Sequence, residues 1–326
     1  MSAAPRPARS ALTIRFALAL KTDAPAVDSP TTNVLHDRAI AAYLGLAIGD
    51  ALGATVEFLT PREIVEQHGE HRDIVGGGWL RLRKGRVTDD TEMSLALGRS
   101  ILSSGGVNAI AAAQAFSDWM RTKPVDIGNT VRRGISHFRQ TGVAEVPLHE
   151  YDAGNGACMR TLPIALYTLG ADLATITAAH CTQAHVTHHN LVSDAGTLAV
   201  IQMVQIGLRG GTQADLQVIA EALVAADERY RFDRRRMENP GGYIVETLRA
   251  VFQALFATDD FETALIDVVN RGGDADTTGA ILGMIAGAFY GLDAIPKRWL
   301  TALDKDTAGA CREQALALID AAPYLD

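Results

Sequence analysis

The sequence predicts an all-α protein, and two observations carry that reading. Apolar residues recur at the three-and-four spacing of a helix almost everywhere from residue 34 onward, and alternating, β-branched strand patterns are nearly absent. Composition adds that a sizeable core can form, with 48% hydrophobic and 21% charged residues among 326.

Taken in order, the first helical face joins Leu35, Ile40, Tyr43, Leu44, Ala47, Ile48, Ala51 and Leu52. The next joins Met93, Leu95, Leu97, Ile101 and Leu102, opening after an aspartate suited to an N-cap. Helical periods then run over residues 108–120, 128–138, 156–169, 173–183, 189–208, 214–226, 243–257, 261–269 and 277–290, and one or two more close the chain. No repeat of fixed period and no Pro/Gly/Ser linker splits this body, so residues 35–326 read as one domain. Residues 1–34 are rich in Ala, Pro, Arg, Ser and Thr, and Arg15 interrupts their apolar stretch, which favours a disordered tail over a signal peptide. Three segments, 60–88, 142–155 and 231–242, break the periodicity, and such loops are where binding residues collect in a helical protein.

Several function classes are disfavoured at once. A net charge of -8 argues against a general nucleic-acid binder. Cys158, Cys181 and Cys311 are widely separated, with no CxxC pair, and read as reduced thiols of a cytoplasmic protein. The longest apolar run, 280–292, holds three glycines and is too short to span a bilayer.

Two acidic motifs carry the chemistry. Thr88-Asp89-Asp90-Thr91-Glu92 and Gly272-Gly273-Asp274-Ala275-Asp276-Thr277-Thr278-Gly279 each lead into a helix and offer two aspartates beside hydroxyls. Oxygen-only donors suit hard cations such as Mg²⁺ or Mn²⁺ and not Zn²⁺. The plain alternative is that both are N-caps with acidic first turns. Four aspartates packed together without cations would be costly, which favours a two-metal site. A third acidic piece, Gly49 to Glu57, ends the first helix; its glycines at 49 and 53 imply close packing or a ligand, against a simple small-residue helix contact with Glu57 exposed. Asp126 precedes a helix start at Gly128-Asn129-Thr130 and reads as either an N-cap or a catalyst. The loop Asp152 to Arg160, opening a predicted helix, would turn backbone N–H groups toward a phosphate. His180, His185, His188 and His189 cluster without an HExxH pattern, so zinc is the weaker reading there. Arg234, Arg235 and Arg236 form either a solvated loop or a docking patch for an acidic partner.

Together these motifs resemble the ADP-ribosylglycohydrolase family across nearly the whole chain after the tail, in the order Gly49 to Glu57, Thr88 to Glu92, Asp126 to Thr130, Asp152 to Arg160, Thr187-His188 and Gly272 to Gly279. The resemblance implies a single-domain orthogonal helical bundle with a binuclear metal centre of two divalent cations, Mn²⁺ or Mg²⁺. It implies Thr88, Asp89, Asp90, Asp274, Asp276 and Thr277 as metal ligands and Glu57 and Asp126 as the acid/base residues beside the reacting ribose. Asp152, Asn155, Gly156, Met159, Arg160 and His188, with Thr187, are implied as substrate contacts. Residues 76–80, 125–134, 240–256 and 270–291 are most similar to members that remove ADP-ribose from an arginine of nitrogenase iron protein (dinitrogenase reductase). That similarity further implies control by a PII signalling protein and reversible recruitment from the cytoplasm to the inner membrane by an ammonium channel complex. The competing readings are an ADP-ribosyl-serine or poly-ADP-ribose hydrolase of the same fold, a non-catalytic ADP-ribose-binding relative, and a generic metallophosphohydrolase.

Overall fold

The computed structural model describes residues 31–325, so residues 1–30 of the expected tail lie outside the described residues, and residues 32–34 already belong to the first helix. Among the described residues the chain is built of α-helices joined by loops and two short 3₁₀ turns, with no strand. In chain order they are α1 (Thr32–Gly53), α2 (Pro61–His68), α3 (Asp89–Ser104), α4 (Ala109–Arg121), α5 (Asn129–Thr141), α6 (Leu162–Tyr167) and α7 (Leu173–Ala184). Then come α8 (Leu191–Leu208), α9 (Gln213–Ala226), α10 (Ile244–Ala257), α11 (Phe261–Val269), α12 (Ala275–Tyr290), α13 (Lys297–Ala302) and α14 (Lys305–Asp320).

Local chemistry fixes many of the starts. Asn108, Asp172, Asn190 and Asp260 each accept backbone N–H groups from the first turn of the helix they open. Thr60 and Glu63 form a reciprocal capping box that starts α2, a helix in a segment expected to be irregular. The helix expected over 156–169 shortens to α6, because residues 156–160 turn irregularly before Pro163 takes a first-turn position.

One pair of helices positions the site. Ala41, Gly45, Gly49 and Gly53 of α1 meet Gly287, Gly283, Gly279 and Ala275 of α12, an antiparallel seam with one small residue per turn on each side. A Cβ on any of these glycines would overlap a backbone carbonyl of the facing helix. The glycines that weaken each helix in isolation therefore let the two backbones touch. The seam brings the C-terminal end of α1, with Asp50 and the following Glu57, beside the N-terminal end of α12, with Asp274 and Asp276. Around it, α8 is long and apolar enough to cross a membrane, but most of its residues are buried in the protein core.

Candidate active site

Three helix N-termini converge on a cavity of about 440 Å³. Those of α3 and α12 bring Asp89, Asp276 and Thr277 to its wall with Asp274, and that of α5 brings Asn129, Thr130 and Val131. Carboxylates at the first two are favoured by the helix dipole. The first turn of α5 has no acidic residue, and its N-cap, Gly128, makes no side-chain cap bond.

Capping does not account for the acidic motifs. Thr88 and Asp274 occupy the N-cap positions of α3 and α12, and neither side chain makes a cap bond. Glu92 turns away to Arg86 and to the Trp119 indole N–H at 2.8 Å. Asp126 is no helix cap either: it accepts the N–H of the next residue, Ile127, at 2.7 Å. Its carboxylate meets those of Glu57 and Asp276, one oxygen of each lying within 4.8 Å of the other two.

Asp50 is the member that sequence reading passed over. Fully buried, it accepts the Thr88 N–H at 2.9 Å, the Thr88 hydroxyl at 3.0 Å, the Thr91 N–H at 3.2 Å and the Thr91 hydroxyl at 2.5 Å. It thus ties the start of α3 to α1 and fixes where Asp89 and Asp90 point. Its signal was an aspartate within an otherwise apolar helical run, where a charge is rarely buried unless it is held. Trp79 was likewise missed: its indole N–H donates to Glu57 Oε2 at 2.6 Å. Gly76, Gly77 and Gly78 precede it with φ of 73°, 87° and 66°, a left-handed run that side chains resist. Phe58 packs on Trp79 with ring centroids 5.4 Å apart, and the two rings stand exposed at the mouth.

Burial raises every carboxyl in the cluster, and repulsion between neighbours adds to it at several. Burial lifts Asp50 to about 7 and Glu57 to about 8, against the hydrogen bonds that oppose it. Asp89, Asp90 and Asp276 are pushed well above the carboxylate range by burial and then by neighbouring carboxylates. Asp274 and Asp126 are also raised, by burial first. Asp90 Oδ1 is buried with no hydrogen-bond partner, while Oδ2 receives the Thr88 hydroxyl at 3.3 Å and the Thr277 hydroxyl at 3.4 Å. An orphaned carboxylate oxygen among converging aspartates, with hydroxyls and no thiol nearby, fits hard divalent cations.

The remaining sequence-predicted contacts divide into wall and backing. Asn155, Gly156, Met159 and His188 line the cavity. Asn155 donates to Asp274 Oδ2 at 2.6 Å and to the Thr247 hydroxyl at 3.0 Å. Because α6 starts only at Leu162, no helix N-terminus faces the cavity from this loop; the N-terminus that reaches the wall here is that of α5. Arg160 stands behind the wall, buried over the Phe116 ring and donating to Gln183 and to Thr187 Oγ1 at 2.9 Å. Thr187 passes that order on, its hydroxyl hydrogen-bonded at 2.8 Å with His188 Nδ1. Burial, then the Arg160 charge, lowers His188 to about 3, which keeps the ring neutral. Asp152 also stands outside the cavity wall, paired with Arg133 and lying 3.3 Å from His149.

The family model for ADP-ribosylglycohydrolase matches residues 31–324. The ADP-ribosyl-[dinitrogen reductase] glycohydrolase of Rhodospirillum rubrum is 48% identical over 287 residues, covering 87% of this chain and 96% of that protein. The ADP-ribosylarginine hydrolase Tri1 of Serratia proteamaculans is 32% identical, covering 82% of this chain and 75% of that one. A solved structure described as an ADP-ribosylglycohydrolase-related protein complex superposes with a TM-score of 0.79 at 34% identity, over 89% of this chain and 99% of that chain.

Proposed function

The chain belongs to the ADP-ribosylglycohydrolase family, and from that premise we propose that it cleaves the N-glycosidic bond between ADP-ribose and an arginine side chain of a target protein. Nitrogenase iron protein is the target this reading favours, its removal of ADP-ribose being a reactivation. The observation that carries the reading is the convergence of Glu57, Asp126 and Asp276 within 4.8 Å beside Asp89, Asp90 and Asp274, in a cavity whose third helix has no acidic residue in its first turn.

Thr88, Asp89, Asp90, Asp274, Asp276 and Thr277 would hold two divalent cations, Mn²⁺ or Mg²⁺. Bound there, the cations supply charge compensation and Lewis-acid polarisation of ribose or water oxygen. The chain's own residues divide the rest. The α5 N-terminus presents amides of residues 129–131 to the diphosphate. Neutral His188, braced by Thr187 and Arg160 and standing against Gly154 and Gly156, orients the adjoining ribose. Phe58 and Trp79 offer apolar faces at the mouth. Guanidine is a strongly basic leaving group, so a carboxyl must hand it a proton as the glycosidic bond opens. Glu57, held by Trp79 and raised by burial, is placed to do so, with Asp126 taking the proton from the attacking water.

Incubation with an ADP-ribosyl-arginine protein, Mn²⁺ present or chelated, tests the reading: free ADP-ribose should appear only with metal. Faster release from ADP-ribosyl-serine or poly-ADP-ribose would overturn the arginine assignment. The reading includes a cytoplasmic enzyme, supported by three cysteines that form no disulfide. It extends to recruitment by a PII protein and an ammonium channel complex at the inner membrane, which co-sedimentation with each would test.

A further inference from the structure

We propose that His180, Cys181 and Asp194 form a second metal site, chemically distinct from the carboxylate cluster, that takes one borderline cation of the zinc type. The three residues meet where the end of α7 packs on the first turn of α8, and their ligand atoms lie within 4.8 Å of one another. His180 is 1% exposed, yet neither of its ring nitrogens completes a hydrogen bond, and Asp194 Oδ1 is buried without one too. His180 Nε2 and Asp194 Oδ1 stand 3.5 Å apart, at the outer limit of any hydrogen bond. Two ligands on one tetrahedral zinc lie about 3.3–3.6 Å apart, given zinc–ligand lengths of about 2.0–2.2 Å. The spacing suits an ion between the two groups better than a bond between them.

The surroundings are those of a metal site. His185 Nε2 contacts the other oxygen, Asp194 Oδ2, at 3.1 Å, as an outer group does when it orients a ligating carboxylate. The His185 ring stacks on that of His189, centroids 3.7 Å apart, and Glu145 Oε1 lies 3.7 and 3.4 Å from their Nδ1 atoms. A mixed nitrogen, sulfur and oxygen donor set selects zinc over the Mg²⁺ or Mn²⁺ suited to the cavity. Cys181 is partly exposed, which leaves the ion a route in and a fourth position for water. An ion here would also brace the cavity from behind. Val146 donates to the His185 carbonyl and His149 to the His189 carbonyl, docking the segment that leads to Asn155 on this same turn.

Cobalt is the probe. The full chain, with excess Mg²⁺ to fill the carboxylate cluster, is titrated with Co²⁺. A thiolate-to-cobalt charge-transfer band should grow to one equivalent and vanish in Cys181→Ser. Cys158 and Cys311 are buried in the core, so the band reports on Cys181. Zn²⁺ should displace the Co²⁺ and raise the melting temperature of the native chain but not of Cys181→Ser. His185→Gln should keep the band but weaken Co²⁺ binding about 10–100-fold. No thiolate band in the native chain, or one that survives Cys181→Ser, overturns the proposal. Cys181 is only partly buried, so Cys181→Ser carries the test without disturbing the core.

Discussion

The floor and the rim of the cavity are built from different material. The floor carries Asp89, Asp274 and Asp276, backed by buried Asp50 and Asp90, anchored on two helices whose backbones touch along a glycine seam and on the start of a third. The rim carries Phe58 and Trp79, 62% and 53% exposed, on a loop of left-handed glycines, together with the segments 142–155 and 231–242. Groups that must hold charge to within a fraction of an ångström sit on rigid elements, while groups that choose the substrate sit on loops. Substitutions in the floor should therefore cost turnover on every substrate, and those in the rim should change which substrate is taken.

The largest effect should come from Asp276→Ala. It removes a floor carboxylate that reaches Glu57 and Asp126 at once. Activity should vanish and Mn²⁺ content should fall with the helical circular dichroism intact; an active Asp276→Ala protein would show that the floor does no chemistry.

Asp126→Asn comes next. Asn can accept the Ile127 N–H as Asp126 does, but it cannot take a proton. Turnover should drop by about 10²–10⁴ while metal content and melting temperature hold. Normal turnover would transfer the role to Glu57, to be examined as Glu57→Gln.

The floor was largely legible in the sequence and the rim was not. Paired aspartates beside hydroxyls, each entering a helix, announce themselves because capping explains one such motif and not two. Asp50 was hidden by its surroundings, since a period of apolar residues reads as core whether or not one member is charged. Helix α2 was missed because only Ile64 among its eight residues is buried, leaving no apolar stripe, although Thr60 and Glu63 spelled its capping box. The histidine cluster separated in a way that spacing cannot reveal: His188 faces the cavity, whereas His180, His185 and His189 face Asp194 and Glu145. Tertiary pairing, which has no period, decided each of these.

A third substitution sharpens the contrast between seam and surface. Gly279→Ala places a Cβ against the Gly49 carbonyl and should cost about 1–3 kcal/mol through overpacking. Each kcal/mol lowers the melting temperature by about 1–2 °C in a chain of this size, and turnover should fall as Asp276 shifts. Gly309→Ala, in α14 with open space around it, should stabilise by about 0.5–1 kcal/mol. A tolerated Gly279→Ala would mean that the helices are not in backbone contact.

Proton binding distinguishes floor from rim without any mutation. Asp50 and Glu57 lie at about 7 and about 8 in the folded chain, raised by burial. Unfolded carboxyls titrate near about 4. The folded form therefore binds more protons, and the stability this adds is complete below pH about 4 and lost as pH rises through about 7–8. Chelated protein should melt at falling temperature across that window, and Mn²⁺ should remove the fall by replacing the protons. A flat or rising profile in chelator would mean that the floor carboxylates are solvated.

The smallest effect belongs to the rim at its outer edge. Three consecutive arginines read as a docking patch, but Arg234 pairs with Glu228 at 3.2 Å, and Arg236 pairs with Glu238 at 2.7 Å and Asp267 at 2.5 Å. Arg235 has no ion-pair partner among the described residues and is exposed on the segment that continues to Gly242 in the cavity wall. Steering by the patch thus narrows to one free cation. Arg235→Glu should slow hydrolysis of the modified protein on the order of a few-fold at low salt. The effect should fade as ionic strength rises toward 1 M, where charges are screened beyond about 3 Å. A small ADP-ribosyl-arginine analogue should be hydrolysed at the unaltered rate. Equal loss on both substrates would move Arg235 from the approach path into the cavity, and the segment it stands on would then belong to the floor.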